Sequence, residues 1–217
     1  MKKFSPVITL SILLFIPSII FANTLQKTIQ TLHETYEKIN DIEADFSQSI
    51  AFEGFDTTVD SNGKVYFKRG QRGLRSKMRW DYSAPTRQQI FVDGDAVLHY
   101  TPENKQVLQS VLEKQTGLPI DLFFSIEKIE TFFDLSQEKE NRLILKPQKK
   151  GSQVAQMVVT LAPLSKLGGL FIKGIILHEE NGNQSKFQFT NFRINKLLSD
   201  QIFSFKIPEG VEIIDLR

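Results

Sequence analysis

The chain has 217 residues, with 27 basic and 25 acidic side chains and no cysteine. Without cysteine there is no disulfide framework, no Cys–His metal cluster and no thiol to lipidate. So balanced a charge argues against a nucleic-acid binder, which must neutralise many phosphates at once.

Lys2 and Lys3 precede an apolar stretch, Val7 to Phe21, interrupted by Pro17 and followed by Ala22. The stretch is shorter than a membrane span of about 20 apolar residues. It reads as a secretory signal cleaved after Ala22, although Ile20 at the −3 position is not small. Residues 1–22 are expected to be removed, leaving residues 23–217 as one domain, secreted across the inner membrane. Loss of Lys2 and Lys3 leaves 25 charges of each sign.

Leu25, Ile29, Leu32, Tyr36 and Ile39 then recur at helical spacing, with Asn23 or Thr24 as the cap. From Ile42 the period becomes two, and Ile42, Ala44, Phe46, Gln48, Ile50 and Phe52 share one face. Asp60-Ser61-Asn62-Gly63 reads as a turn and Lys64–Arg69 as the next strand. Ser76–Tyr82 alternates, with Met78, Trp80 and Tyr82 on one side and Lys77, Arg79 and Asp81 facing water. Asp93-Gly94 marks a tight hairpin between strands at Gln88–Val92 and Ala96–Thr101, and Gln106–Leu112 can pair next. Pro119 opens a short helical segment carrying Leu122, Phe123, Ile126 and Ile129. Six further strands are expected at Thr131–Leu135, Arg142–Lys146, Ala155–Leu161, Leu170–His178, Lys186–Ile194 and Ile202–Ile207. The pattern predicts a mainly β (α+β) fold: a curved antiparallel sheet of about ten strands, greasy on one side, with helices covering that side.

Catalytic signatures do not emerge. Neither G-x-S-x-G nor H-E-x-x-H occurs, and His33, His99 and His178 lie in no local motif with Ser or Asp. The Asp60–Gly63 stretch lacks the later glutamate of a calcium loop. The reading is a non-enzyme that uses no cofactor and no metal; a hydrolase with a dispersed site is the contrasting alternative.

Several segments together resemble the family of periplasmic outer-membrane lipoprotein carriers. They are Asp45-Phe46-Ser47-Gln48, Gly63–Arg69, Met78-Arg79-Trp80-Asp81-Tyr82 with Pro85, Asp93-Gly94, Leu118–Leu122 and Phe203–Val211. The resemblance implies an incomplete, strongly curved antiparallel β-barrel with a helical lid, acting as a monomeric carrier in the periplasm. Its cavity would hold the acyl chains of lipoproteins released by an inner-membrane ABC-type transporter and pass them to an outer-membrane lipoprotein receptor. The alternative is a related periplasmic lipid-binding or lipoprotein-sensing module with a different cargo. Cavity positions expected on this basis are Phe46, Phe67, Met78, Trp80, Ile90 and Leu98 from strands, and Leu32, Leu122 and Phe123 from helices. The family's lid latch, an arginine ending the second strand, corresponds to Arg69, with carbonyls near Phe124 and Ser125 as its partners. This chain departs from the family just there: Gly70 replaces a proline, and the basic loop Gly70–Arg75 lengthens the path to Trp80.

Overall fold

The computed structural model describes residues 18–70, 75–112 and 119–217, with backbone alone at 18–23, 120 and 121. The expected signal therefore lies mostly outside the described residues, as does most of the basic loop. Helix α1 spans Ser18–Glu37, and strands follow as β1 (Asp41–Ala51), β2 (Thr58–Lys68), β3 (Lys77–Ala84), β4 (Gln88–Asp93), β5 (Ala96–Thr101) and β6 (Gln106–Val111). Helices α2 (Ile120–Ser125) and α3 (Ile129–Phe132) interrupt the strands. Then come β7 (Phe133–Lys139), β8 (Arg142–Pro147), β9 (Val154–Leu164), β10 (Gly169–Glu179), β11 (Gln184–Ile194) and β12 (Glu212–Asp215).

The described strands form one sheet in the order β12-β6-β5-β4-β3-β2-β1-β11-β10-β9-β8-β7. Neighbours are antiparallel except β12, which adds to β6 in parallel. Two meanders thus meet where β1 pairs with β11, Phe46 opposite Phe189. The alternation of β1–β3 puts Ala44, Phe46, Val65, Phe67, Met78 and Trp80 on the inner face, all buried in a single apolar cluster. Phe46 meets Trp80 and Tyr82 edge-on, each with ring centroids 4.9 Å apart, an arrangement favoured by the ring quadrupoles.

Three expectations are corrected. Asp60–Gly63 is not a turn but the middle of β2, and the chain reverses at Glu53–Gly54 instead. Gly63 is required by a close approach: a Cβ there would stand 1.9 Å from the Asp81 carbonyl oxygen. The segment Ile202–Ile207 is not a strand, because it begins as a single 3-10 turn, Asp200–Phe203, and runs over the outer face. There Phe205 stacks on Phe91 at 4.8 Å and meets Tyr100 at 5.1 Å. Arg79, expected in water, lies beneath this segment. It donates to the Ile202 carbonyl at 2.8 Å and to Asp81 at 2.7 Å, with its guanidinium 4.9 Å from the Phe91 ring.

The sheet splits on one side. β10 pairs with β11 only over Gly174–His178, whereas β9 accompanies β10 from Gly169 onward. The C-terminal half of α1 fills the cleft. The Leu170 N–H donates to Thr35 Oγ1 at 3.1 Å and the Ile172 N–H to the Tyr36 hydroxyl at 3.3 Å. Two strand donors that would otherwise be orphaned by the split are thereby satisfied. Burial pushes the Tyr36 hydroxyl pKa well up, so it stays neutral in that role. No helix among the described residues is long and apolar enough to cross a membrane.

Candidate functional site: an apolar interior under two helical covers

The inner face of the sheet is roofed from two directions. α1 lays Ile29, Leu32 and Tyr36 over it, and the α2–α3 segment adds Leu122, Ile126 and Ile129, all nearly inaccessible. Phe123 reaches in against Phe189, centroids 5.8 Å apart, and Phe124 against Phe67 at 6.2 Å. The structure gathers Phe46, Phe67, Met78, Trp80, Ile90, Leu32 and Leu122 into the central cluster, with Phe123 packed on its margin. Leu98 is the exception. It pairs with Phe91, one residue out of phase with inward-facing Ile90, and so belongs to the outer face beneath the C-terminal segment.

The space under α1 and Phe123 is almost filled by its own side chains. About 20 Å³ remains, lined by Phe67, Met78 and Phe123 together with Tyr36, Ile39, Phe171, Ile172, Phe189, Phe192 and Ile194. That is room for the centre of about one water molecule. The lining residues of β10 and β11 were missed from sequence: those strands were read only as ranges, and the β1–β11 register that brings Phe189 and Ile194 beside Phe46 and Ile42 is a property of the structure. A wider cleft of about 730 Å³ opens beside α2 and α3. Leu112, Phe124, Phe133 and Met157 line its apolar side, and Arg75, Asp95 and Lys149 its polar side. Half-exposed Phe132 sits on its rim.

Arg69 holds the two covers together. It follows β2 directly, and its own N–H donates to the Asn40 carbonyl at 2.8 Å, fixing the chain at the α1–β1 junction. Its Nε donates to the Ile39 carbonyl at 2.9 Å and an Nη to the Tyr36 carbonyl, at the C-terminal end of α1 where cations are favoured. The remaining arm of the guanidinium pairs with the Glu127 carboxylate, between α2 and α3. This corrects the expected partners. Phe124 and Ser125 precede the contact point; Phe124 packs on Phe67, and the Ser125 hydroxyl turns back toward the Leu122 carbonyl at 3.4 Å. A planar fork with five donors suits three separate acceptors as a lysine would not. A second contact of the same kind brings His33 Nε2 on α1 within 3.5 Å of the Glu130 carboxylate on α3.

The junction is braced from below. Asp41 is buried and its carboxylate accepts from the Lys196 N–H at 2.7 Å and the Leu197 N–H at 3.0 Å, while Asn195 bonds the backbone of Asn40 and Lys38. Of the loop Gly70–Arg75, the described ends are anchored: the Gly70 N–H bonds the Ser76 hydroxyl at 3.1 Å, and Arg75 pairs with Asp95.

The profile of the family described as "Outer membrane lipoprotein carrier protein LolA" matches residues 37–206, most of the chain. The chain belongs to the LolA family. Among relatives, the outer-membrane lipoprotein carrier protein of Histophilus somni (strain 129Pt) is 28% identical over 218 residues, covering 100% of this chain and 99% of its own. That of Actinobacillus succinogenes is 26% identical over 187 residues, covering 86% and 85%. Among solved structures, a DUF1329 family protein from Desulfovibrio piger aligns at TM-score 0.55 with 14% identity, covering 83% of this chain and 97% of its own. A candidate outer-membrane lipoprotein-sorting protein domain from Vibrio parahaemolyticus aligns at 0.51 with 12% identity, covering 82% and 97%. These two likenesses show the fold alone. In this LolA-family chain the curved sheet, its apolar inner face and its helical covers form one unit.

The far end of the inner face is polar. The Tyr82 hydroxyl donates to Gln48 Oε1 at 2.8 Å, and His99 Nε2 lies 2.8 Å from Gln88 Oε1. Burial lowers the His99 pKa below its ordinary value of 6.5. A histidine depressed in the fold contributes full stability above its unfolded pKa, and that contribution is lost as pH falls from about 6.5 toward the folded value. The expected result is that His99→Gln flattens the fall in melting temperature between pH 7.5 and 5.5. Parallel pH curves for both proteins would count against it.

Proposed function

We propose that this protein carries lipoproteins through the periplasm by sheltering their acyl chains between the sheet and its helical covers. The observation that supports this best is the arrangement around Arg69. One cover, α1, is bonded into the split sheet, and the other, α2–α3, is held to it by two polar contacts, Arg69 with Glu127 and His33 with Glu130, over an apolar interior largely filled by its own side chains. An exposed acyl chain costs about 0.8 kcal/mol per CH₂ in water, so a lipid anchor needs an apolar container. The inner face supplies one once α2–α3 swings away, with the open cleft beside Phe124 and Phe132 as the way in. Closure of the empty interior, driven by burial of Leu122, Phe123 and Ile126 and by the latch, competes with cargo and favours release. On this reading residues 1–22 direct export and are removed, an inner-membrane ABC-type transporter loads the carrier, and an outer-membrane receptor unloads it. No catalytic step is involved.

Depletion tests the proposal. Lipoproteins destined for the outer membrane should accumulate at the inner membrane as the protein disappears. If they continue to reach the outer membrane, the carrier reading is wrong.

A further inference from the structure

The hairpin joining β1 and β2 does not end where the sheet ends. β2 pairs with β1 from Thr58 onward, but its ladder with β3 begins only at Asn62. Thr58 to Ser61 therefore have a β-partner on one side and none on the other among the described residues. In an antiparallel strand alternate residues aim their N–H and C=O groups to each side, so about half of this segment presents an open main-chain edge. Natural sheets usually blunt such edges with lysine, proline or a covering loop.

This edge is not blunted but dressed. Phe52, Phe55 and Val59 are 40%, 71% and 44% exposed. Phe52 and Val59 continue the inner face of their strands beyond the last β3 residue, since Val59 stands opposite Ile50. The tip is also well defined: the Glu53 N–H bonds Asn183 Oδ1 at 3.0 Å and the Phe55 N–H bonds the Phe52 carbonyl at 3.1 Å. Glu53, Asp56 and Asp60 lie on this hairpin and are exposed. None of these three carboxylates forms an ion pair among the described residues. The nearest cation on the neighbouring strand, Lys186, sits two ladder positions back from the end of β1, opposite Ser49.

We propose that the β1–β2 tip is a docking edge for an extended polypeptide segment of a partner protein, one that alternates basic and apolar side chains. The segment would pair with Thr58–Ser61 through main-chain hydrogen bonds, seat an apolar side chain against Phe55 and Val59, and place its cations among the unpaired carboxylates. Main-chain pairing of this kind supplies affinity and alternate side chains supply selectivity. The acidic collar selects against anionic lipid surfaces and sets the sign of the partner.

The test uses the full mature protein and a fluorescent nine-residue peptide of alternating Lys and Val, read by anisotropy at low salt. Saturable binding is expected. It should weaken at least tenfold when the peptide carries Glu in place of Lys, or N-methyl groups on alternate backbone nitrogens. The double variant Asp56→Lys, Asp60→Lys should weaken binding at least tenfold with an unchanged melting temperature. Amide shifts in the unsubstituted protein should concentrate at 58–61, which keeps the test independent of any variant's folding. The proposal is overturned by absence of saturable binding, by equal binding of the Lys and Glu peptides, or by shifts elsewhere on the sheet. Tip-dependent binding to phospholipid vesicles, or tip-dependent self-association, in place of peptide binding would also overturn it.

Discussion

Replacing Arg69 with leucine is expected to make the carrier hold acyl ligands more tightly and release them more slowly. Because an acyl chain cannot enter the ≈ 20 Å³ left under the covers, binding must first open them, and whatever favours closure subtracts from affinity. Arg69 contributes two hydrogen bonds from a charged donor to the Tyr36 and Ile39 carbonyls and one ion pair with Glu127. The two carbonyls stay with α1 when α2–α3 moves, so opening breaks only the contact with half-exposed Glu127, which contributes up to about 1 kcal/mol. At about 1.4 kcal/mol per decade, loss of the latch should raise affinity for a fluorescent acyl probe by about two- to fivefold. Transfer to an acceptor should slow correspondingly. Arg69→Lys should fall between, since an ammonium lacks the fork that reaches both sides. Unchanged affinity in Arg69→Leu would show that the contact is a bystander.

Trp80→Ala should be the most destabilising single change on the inner face. The indole is fully buried, packed edge-on against Phe46 at 4.9 Å and Phe187 at 5.7 Å, with its N–H directed at Met78 Sδ at 2.9 Å. Truncating such a ring costs about 3–5 kcal/mol, because the cavity closes only in part. In a chain of this size that corresponds to a fall of roughly 6–20 °C in melting temperature. A fall of only a degree or two would mean that the inner face is not a packed core, and the closed empty state would lose its basis.

The sequence carried the strands well and their neighbours poorly. Alternation at Ile42–Phe52 and at Met78–Tyr82 reports a buried face directly, because a period of two has only one reading once one face is greasy. It says nothing about which strand lies alongside, so the pairing of β1 with β11, and with it the lining role of Phe189 and Ile194, had to come from the structure. Leu98 shows the complementary failure. In a hairpin of two short apolar strands both faces look alike, and the outer one is apolar here because Phe205 covers it. Gly63 misled for a chemical reason: Asp-Ser-Asn-Gly favours turns, yet this glycine serves a close approach to β3. The insertion of α1 into the split sheet depends on Thr35 and the Tyr36 hydroxyl, and a hydrophobic period cannot register a polar bond of that kind.

Arg69 was singled out only through the family resemblance, and its contact with Glu127 was not foreseen. The geometry that makes it useful, one residue bridging α1 and the α2–α3 segment, is a property of topology alone.

The central claim is that acyl chains lie between the sheet and α2–α3, and photocrosslinking tests it most directly. A benzophenone side chain would replace Phe123, which faces the interior, or Leu98, which lies on the outer face of the same sheet. Each protein would then be loaded with a lipoprotein bearing radiolabelled acyl chains and irradiated. Label should transfer to the protein carrying the probe at 123 and not to the one carrying it at 98. Equal labelling at both positions, or labelling at 98 alone, would contradict the account.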